Sequence, residues 1–587
     1  MPSFLGRLKG SLGMGLLAGL WLWVGQGIPY LFDWDELIYA SLARQMLASG
    51  DPFSLAINGE PFFEKPPLFF WLQALSMAVL GMNEGAARLP NAFAGGITVA
   101  LLVGWGSCLG GMGFGCLWGI LLLTGYLPLF FYKTGLIDPL LNLGMGVGLG
   151  SLWAAEEAWR AGYSGRRWRA VGALALGLAV LAKGPVGLVL PLAIWILYKL
   201  WQRDPPLRWG ESLVFLSLAV AVPLTWLALE GVQRGPEWVE EFGRYQWRIL
   251  TSSDGHPGPV YFHLLAFALG CFPWGSLALA EILQPIPRSV GSVDLTRRAE
   301  SLLLVAFGVV LALFSLLVQT KLVHYTSLLY PIGAYFAALR LQRLVAEKRG
   351  PSFWESAWIL LSGLFWLALW LLLPWLGSQD PILLMSVAEK RLEALGIPLP
   401  ELFQSLSGSL ALGYLQADVD WPGFAYGPAL LLVLGGLAWI GGRHKSWGWA
   451  ILLLATGLSA QLAWGWVFPR LLQHTQGGAI DFFQRFTVSE KSPEPTLSGT
   501  VGLYGFRSFV PYFYGPLQVP YASSRAGLAD WQARRQMPDY LVTWDPFVAE
   551  LAVPDNGSDA TLGSWQALER RSPFWLLKAS PHFSSPP

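Results

Sequence analysis

The sequence contains little charge for its length. Only 13% of its 587 residues are charged and 54% are hydrophobic, whereas soluble globular domains contain about 25% charged residues. No soluble core buries that much apolar side chain, so the composition excludes an ordinary soluble protein. The 39 Lys and Arg residues are balanced by 38 Asp and Glu residues, which leaves a formal net charge of +1. This balance gives no overall attraction to nucleic acid, and nucleic acid is not an expected partner.

Cysteine is scarce as well. The three cysteines, Cys108, Cys116 and Cys271, lie in or beside apolar segments and show no CxxC spacing. Their number and spacing exclude a disulfide framework and a cysteine-based metal site. We interpret all three as small buried side chains.

Long apolar runs are the main feature that the sequence does have. A helix needs about 17 to 25 mostly apolar residues to cross the hydrocarbon core, and on that criterion we count about 13 candidate spans. The first run continues to Phe32 without an evident cleavage site, which favours a retained helix over a signal peptide. The candidates lie at 12–32, 88–107, 112–131, 137–157, 170–183, 185–200, 210–230, 259–283, 300–318, 323–341, 355–377, 424–441 and 446–467.

Basic residues indicate the orientation of these spans. Lys and Arg concentrate in cytoplasmic loops, and here they collect in alternate loops when the N-terminus is placed inside. The basic inner loops contain Arg160, Arg166, Arg167, Arg169, Lys199, Arg203, Arg208, Arg288, Arg297, Arg298, Arg340, Arg343, Lys348, Arg349, Arg443 and Lys445. The absence of cysteine from the outer C-terminal part favours a bacterial cytoplasmic membrane.

Two outer segments, 33–87 and 231–258, are too long to be simple connectors. In the first, Asp33 and Glu36 resemble a capping box, and an apolar stripe follows, which predicts a helix on the membrane surface. The stripe consists of Leu37, Ile38, Leu42 and Met46. A second helix is expected from Pro66-Pro67 through Leu68 to Leu80, because proline suits the first helical turn.

The C-terminal part differs from the rest. After residue 467 the apolar runs stop, and strand-like runs occur at 501–506, 540–544 and 575–578, with a helical pattern near 523–536. The sequence therefore predicts a polytopic α-helical membrane protein. It has a transmembrane domain over 1–467 and a small extracytoplasmic α/β domain over 468–587.

Ionisable residues gather at the outer ends of the spans: Asp35, Glu36, Glu64, Lys65, Asp138, Lys183, His256, Lys321 and His324. Charged groups at such positions tend to face a cavity with a function. Each residue also has a structural interpretation. The acids can stabilise helix N-termini, the Glu64-Lys65 pair can be a solvated ion pair, and His256 can be a turn residue.

A series of motifs reduces this ambiguity. In chain order these are WDELIYASLARQM (34–46), NGEPFFEKPPLFFWLQAL (58–75), ARLPNAFAG (87–95), LIDPLL (136–141), LAKGPVGLVLP (181–191), HPGPVYF (256–262) and KLVHYTSLLYP (321–331). Together they resemble the polyprenyl-phosphate-dependent glycosyltransferases of the GT-C class, and most closely the aminoarabinose (lipid A) transferases, which are related to protein O-mannosyltransferases. FEKPPL within the first outer loop is the most specific motif.

The resemblance implies a role for each group. Asp35, with Glu36 beside it, matches the acid that acts as catalytic base toward the acceptor, and Asp138 matches a second acid facing the same cavity. The residues expected to bind the donor phosphate are Lys65, Lys183, Lys321 and Tyr325. Glu64 and His256 match positions linked to a metal ion, which is optional and would be zinc. The implied reaction is an inverting transfer from a polyprenyl-phosphate sugar to a lipid, glycan or protein acceptor.

One departure limits the resemblance, since Ile38 stands where the aminoarabinose branch commonly has arginine. This places the aminoarabinose donor and the lipid A acceptor in doubt, but not the general reaction. A transporter of lipid-linked glycans is the alternative, although transporters usually bind near the midplane between repeated halves, and no repeat is visible here. An inactive scaffold for the C-terminal domain is a third hypothesis.

Overall fold

The computed structural model describes residues 4–204, 209–251, 258–284, 295–377, 423–487, 496–534, 536–544, 548, 551, 565–571 and 574–579. The chain divides into two compact units. Unit 1 takes its described residues from 1–26, 63–370 and 426–463, and unit 2 takes them from 27–62, 371–425 and 464–587.

Helices make up most of unit 1 and a smaller share of unit 2. In chain order they are α1 (Phe4–Trp23), α2 (Asp35–Ser49), α3 (Leu68–Leu80), α4 (Glu84–Leu109), α5 (Met112–Thr124), α6 (Tyr126–Lys133), α7 (Asp138–Arg160), α8 (Arg166–Lys183), α9 (Val186–Trp201), α10 (Trp209–Arg234), α11 (Pro236–Thr251), α12 (Phe262–Gly270), α13 (Gly275–Ile282), α14 (Leu295–Ala312), α15 (Leu329–Ala346), α16 (Phe353–Gly377), α17 (Gly427–Gly442), α18 (Ser446–Leu462), α19 (Phe468–Leu472), α20 (Gly478–Gln484), α21 (Val510–Tyr514) and α22 (Arg525–Ala533). Turns of π-helix lie at Leu313–Leu317, Ala463–Val467 and Gln473–Gly477.

Helix is present at every predicted span, but not every helix is long enough to cross a membrane. In the described part of the chain, five helices are long and apolar enough. The pair α5 and α6 makes a sixth if it is one span with a 75° bend. The segment predicted at 259–283 folds as two short helices, α12 and α13, because a turn at 271–274 separates them. The number of about 13 spans therefore stays a prediction.

Glycines bring α7 and α8 close together. A Cβ atom added at Gly144 would lie 2.9 Å from the Cβ of Ala179, and one added at Gly148 would clash with Leu176. Small residues at these positions let two helix backbones approach in a membrane protein. Gly144 and Gly148 therefore serve close packing of the two helices. As a result, the first residue of α7 and the last residue of α8 lie side by side.

Buried cations hold the end of α1. Lys133 Nζ donates to the carbonyls of Leu22 at 3.1 Å and Val24 at 2.6 Å, and Arg88 Nη1 donates to the carbonyl of Gln26 at 2.7 Å. Both basic side chains are fully buried. The last carbonyls of a helix lack intrahelical partners and attract positive charge. These contacts fix the point at which the chain leaves α1 toward the first outer segment.

Unit 2 contains a five-stranded sheet with the order β4-β3-β5-β7-β6. Its strands are β3 (Val501–Tyr504), β4 (Tyr521–Ala522), β5 (Tyr540–Trp544), β6 (Trp565–Arg571) and β7 (Phe574–Ala579). β3 runs parallel to β4 and β5, and β7 runs antiparallel to β5 and β6. Three of these strands and the helix α22 lie where the sequence predicts them. The domain boundary at 467 and the outer location stay predictions.

A hairpin and α2 form the first part of unit 2. The hairpin pairs β1 (Ala56–Ile57) with β2 (Glu60–Pro61), and its turn is Asn58-Gly59, where both residues have positive φ. Asn-Gly is the sequence typical of such two-residue turns. The Asn58 side chain also accepts a hydrogen bond from the Val519 amide at 2.8 Å.

The start of α2 differs from the predicted capping box. Trp34, with a φ of 74°, is the residue before the helix. Asp33 accepts hydrogen bonds from the amides of Trp34 and Phe509, not from the first turn of α2. Glu36 does reach back, since its Oε2 accepts a hydrogen bond from the Phe32 amide at 2.8 Å.

The apolar stripe of α2 is buried as predicted, but so is much of the opposite face. Besides the stripe, the buried residues of α2 include Glu36, Tyr39, Ala40, Ser41 and Ala43. A helix lying on a membrane surface keeps one polar face in water. Burial of both faces differs from this pattern, and the position of α2 relative to the membrane stays a prediction.

Candidate active site

Three of the predicted site residues meet where α7 begins and α8 ends. Lys183 Nζ donates a hydrogen bond to Asp138 Oδ1 at 2.6 Å, and both side chains are largely shielded from solvent. The same Nζ lies 5.0 Å from the centroid of the Tyr325 ring, within the range of a cation–π contact. We call Asp138, Lys183 and Tyr325 the Lys183 cluster.

A buried hydrogen bond one helical turn further along α7 stabilises the cluster. Asn142 lies one turn after Asp138 in α7, and its Nδ2 donates to Ser327 Oγ at 2.9 Å. Ser327 follows Tyr325 by two residues, so this bond holds the Tyr325 segment against α7. The bond thereby helps to fix the position of the Tyr325 ring relative to Lys183.

The second outer segment contacts this region through Gln246 of α11. Gln246 Nε2 donates to the carbonyls of Phe63 at 3.0 Å and Glu64 at 3.1 Å. Its Oε1 would lie 3.2 Å from a Cβ atom at Gly184, which has a φ of +85° and directly follows Lys183. One side chain therefore bridges the loop that carries Lys65 and the end of the helix that carries Lys183.

Glu64 and Lys65 form a loose pair with a tyrosine beside it. Lys65 Nζ lies 4.0 Å from Glu64 Oε2, and Lys65 is the less exposed of the two side chains. Burial, together with the charge of Glu64 and a hydrogen bond to its carboxylate, raises the pKa of Tyr245 in α11 to about 12. Arg248 lies over the Tyr245 ring, 4.5 Å from its centroid. α11 thus adds a neutral hydroxyl and a cation to the predicted acid and lysine.

Lys321 is engaged in a different contact. Its Nζ donates to the carbonyls of Phe314 at 2.8 Å, Ser315 at 2.9 Å and Val318 at 2.5 Å. These carbonyls belong to the π-helical turn that ends α14 and to the residue after it, where orphan acceptors attract a cation. A lysine has three N–H donors, and here all three are used. This geometry favours a structural role for Lys321.

The predicted metal ligands are not brought together by the described residues. His256 lies outside them, although Gly258, two residues later, packs against the side chain of Lys321. Among the described residues there is no group of three or more His, Cys, Asp or Glu side chains that could hold a metal ion. Glu64 alone is too few for zinc, which usually takes three or four protein ligands.

Asp35 and Glu36 lie in unit 2, at the first turn of α2. Asp35 is partly exposed, whereas Glu36 is buried and bound to the Phe32 amide. Just before them, Asp33 accepts hydrogen bonds from Ser508 Oγ at 2.6 Å and from the Phe509 amide at 2.9 Å. Burial raises the pKa of the Asp33 carboxyl despite these bonds. Asp35 is the acid of this turn that remains accessible.

Sequence reasoning missed the residues that hold the predicted groups in place, namely Asn142, Tyr245, Gln246, Ser327 and Ser508. All are polar, uncharged and isolated in the sequence, so no spacing identifies them. The length of the segment 231–258 was the only signal that pointed toward Tyr245 and Gln246.

Comparison with known proteins gives a consistent result. Residues 32–233 match the family model for dolichyl-phosphate-mannose-protein mannosyltransferase. The undecaprenyl phosphate-alpha-4-amino-4-deoxy-L-arabinose arabinosyl transferase of Pseudomonas paraeruginosa is 30% identical over 268 residues, which cover 43% of this chain and 46% of that relative. The enzyme of the same name from Pectobacterium carotovorum is 27% identical over 435 residues, 71% of each chain. The match thus spans about half the length of the first of these relatives.

One solved structure aligns with nearly the whole length of this chain. ArnT from Cupriavidus metallidurans, solved bound to undecaprenyl phosphate, aligns with a TM-score of 0.67 at 18% identity, over 99% of this chain and 100% of that chain. The apolar helices and this likeness make the chain an integral membrane protein with the GT-C fold. The motif resemblance is therefore confirmed, and the chain is similar to polyprenyl-phosphate-dependent glycosyltransferases of the aminoarabinose transferase type.

Proposed function

We propose that the chain is an inverting glycosyltransferase that moves a sugar from a polyprenyl-phosphate donor to a lipid, glycan or protein acceptor. The observation that carries the proposal is the Lys183 cluster, in which an acid, an ammonium and an aromatic ring meet beside the loop that contains Lys65. The relatives are named for a donor linked to undecaprenyl phosphate, and the structural neighbour was solved with undecaprenyl phosphate bound.

The donor phosphate is bound by Lys183 and Lys65. During transfer the phosphate gains negative charge as its bond to the sugar breaks, and fixed cations stabilise that charge. Lys183 Nζ has three N–H donors, and one of them donates a hydrogen bond to Asp138. Asp138 thereby orients the ammonium, and the other two N–H groups face the phosphate. Tyr325 adds a hydroxyl donor. Lys321 contributes at most indirectly, because carbonyl groups occupy its donors.

Asp35 is the proposed catalytic base. The acceptor hydroxyl oxygen attacks the anomeric carbon, the bond from that carbon to the phosphate oxygen breaks, and the hydroxyl proton passes to the Asp35 carboxylate. Polyprenyl phosphate leaves, and a single displacement inverts the anomeric carbon. Glu36 is held by the Phe32 amide, so it positions the turn and does not accept the proton.

A metal ion is not required for this displacement. Where one is bound, Glu64 and His256 are the ligands that we expect, and the ion would add positive charge near the phosphate. No step of the proposed reaction depends on it.

The reaction takes place on the extracytoplasmic side of a bacterial cytoplasmic membrane. This orientation rests on the basic inner loops, which also support about 13 spans and an outer C-terminal domain over 468–587. The helices α7 and α8 agree with it, because their basic ends carry Arg160 and Arg169 and their other ends form the Lys183 cluster.

A transporter of lipid-linked glycans is the second candidate, since the same cations could hold a phosphate during translocation. Transporters place such groups at broken helices near the membrane midplane. In unit 1, Asp138 begins a helix and Lys183 ends one, so the cluster lies at the end of a helix pair. This placement favours the enzyme.

The test is an incubation of the purified protein with a panel of polyprenyl-phosphate sugars, with release of free polyprenyl phosphate as the readout. We expect release with at least one donor and loss of release in the Asp35→Asn variant. The matched control is Asp530→Asn, which removes an exposed acid of unit 2 paired with Arg534. Full activity of Asp35→Asn with an authentic donor would overturn the assignment of the base, and glycan transport without phosphate release would favour the transporter.

A further inference from the structure

A cavity of about 470 Å³ lies far from the Lys183 cluster, at the other end of the same helices. It is lined by α7, α8, α9 and α10. Glu156, at its rim, lies 18 residues after Asp138 in α7, which corresponds to about 27 Å along the helix. The proposed transferase reaction makes no use of this end of unit 1.

The rim of the cavity is charged but balanced. Its acidic residues are Glu156, Asp204 and Glu211, and its basic residues are Arg160, Arg169 and Lys199. Each cation already has an acidic partner. Lys199 Nζ lies 3.0 Å from Glu156 Oε1, Arg169 lies 2.9 Å from Glu211, and Arg160 pairs with Asp204. A ligand at this rim therefore meets both signs of charge within a few ångströms.

The rest of the cavity is lined mainly by apolar side chains, some of them buried and some exposed. Leu152, Leu192 and Phe215 form its inner wall. Ile196, Leu213 and Leu216 line it as well and are exposed. Trp159, also in the lining, is 50% exposed, and tryptophan is enriched where a membrane meets water. A charged rim next to an exposed tryptophan, with an apolar interior behind it, is the arrangement that a phospholipid headgroup and an acyl chain would fit.

We propose that this cavity binds one zwitterionic phospholipid of the cytoplasmic leaflet, with phosphatidylethanolamine as the headgroup that fits the rim. The phosphate accepts hydrogen bonds from Arg160 and Arg169, whose guanidinium groups each have five donors. The ammonium donates to Glu211 and Glu156. One acyl chain occupies the apolar part. An anionic lipid would add net negative charge beside the three acidic residues of the rim. A lipid without an ammonium group would offer these residues no hydrogen-bond donor of positive charge.

The volume agrees with one bound molecule. Ligand sites in proteins have volumes of about 300 to 1,000 Å³ and are mostly apolar with a few placed polar groups. The cavity falls in this range. The proposal does not depend on the transferase activity, because none of its residues belongs to the Lys183 cluster or to α2.

The test uses native mass spectrometry of the detergent-solubilised full chain, titrated with phosphatidylethanolamine or with phosphatidylglycerol of the same acyl chains. We expect one phosphatidylethanolamine per chain, bound about tenfold more tightly than phosphatidylglycerol, as for the loss of one charge-assisted contact. Equal binding of the two lipids, or no retained lipid, would overturn the proposal.

Variants locate the bound lipid. Arg169→Gln removes a phosphate contact at a partly exposed position, and Leu192→Trp fills the apolar part of the cavity. Both are expected to weaken phosphatidylethanolamine binding about tenfold. Arg349→Gln is the matched control, because it breaks an exposed ion pair with Glu347 away from the cavity. Unchanged binding in both cavity variants would show that the lipid binds elsewhere, and the proposed site would be wrong.

Discussion

The two ends of the α7–α8 pair carry similar charges but use them differently. At one end, Lys183 has a single acidic partner and an aromatic ring beside it. At the other end, Lys199 is bound to both Glu156 and Asp204 and is only 5% exposed. The first lysine keeps donors for a ligand, and the second is held in an internal network.

For these two lysines, the number of acidic partners, more than the presence of charge, separates a ligand-binding role from a structural one. A buried cation with several acidic partners stabilises the fold chiefly because removing it leaves those acids unpaired. A shielded cation with one partner and unused donors can stabilise charge that develops on a substrate. Four substitutions test this contrast, from the largest expected effect on transfer to the smallest.

Lys183→Met tests the ligand-binding role of the first lysine. The variant keeps an apolar stem of similar length but loses the ammonium that faces the donor phosphate. The rate of polyprenyl phosphate release should fall about 10² to 10³-fold, the usual effect of removing one donor to a developing negative charge. A change of less than threefold would show that Lys183 does not contact the phosphate.

Asp138→Asn sharpens the assignment of roles within the cluster. Asparagine can still accept a hydrogen bond from Lys183, but without a negative charge it orients the ammonium less well. We expect a fall in kcat of about tenfold, with a smaller change in KM, because misplaced catalytic groups lower the rate. If Asp138→Asn were as inactive as Asp35→Asn, Asp138 would have a direct chemical role.

Tyr245→Phe tests the contribution of the second outer segment. Loss of the hydroxyl removes a hydrogen bond to the Glu64 carboxylate, and activity should fall about threefold, a small effect because this carboxylate is partly exposed. Since the pKa of Tyr245 is raised to about 12, the hydroxyl is protonated throughout the range in which activity is measured. The pH profile between about 6 and 9 should therefore keep its shape. A new inflection in that range would contradict this picture.

Lys199→Met probes the opposite end and should leave transfer nearly unchanged. It removes the buried cation that Glu156 and Asp204 share, while Arg160 stays beside both carboxylates, so the free energy of unfolding should fall by about 2 kcal/mol. Thermal unfolding in detergent measures this loss, and the activity per folded molecule measures transfer. A loss of transfer activity without a loss of stability would contradict the structural role given to Lys199.

The sequence identified the charged residues of the candidate site better than the neutral polar residues that position them. Lys183, Asp138 and Tyr325 lie far apart in the chain, yet the motifs that contain them identify all three. The positions of the apolar helices were also predictable, because a membrane imposes a simple rule on length and polarity. Breaks such as the one between α12 and α13 shorten helices locally and escape that rule.

Other features depended on contacts between distant segments. The contacts of Lys321 could not be predicted, because only the fold shows that three carbonyls accept hydrogen bonds from its ammonium group. The burial of α2 depends on such contacts as well, since its amphipathic pattern does not show that residues outside the apolar stripe are also buried. Gln246 reads as an ordinary polar residue until its contacts with Phe63 and Glu64 are seen.

The central claim is that Lys183 binds the phosphate of a polyprenyl carrier while Asp35 acts only in the chemical step. Binding of undecaprenyl phosphate to the purified protein, measured in parallel for the unsubstituted chain, Lys183→Met and Asp35→Asn, tests this claim most directly. We predict that Lys183→Met binds at least about tenfold more weakly and that Asp35→Asn binds as tightly as the unsubstituted chain. Equal affinity for the unsubstituted chain and Lys183→Met would contradict the claim.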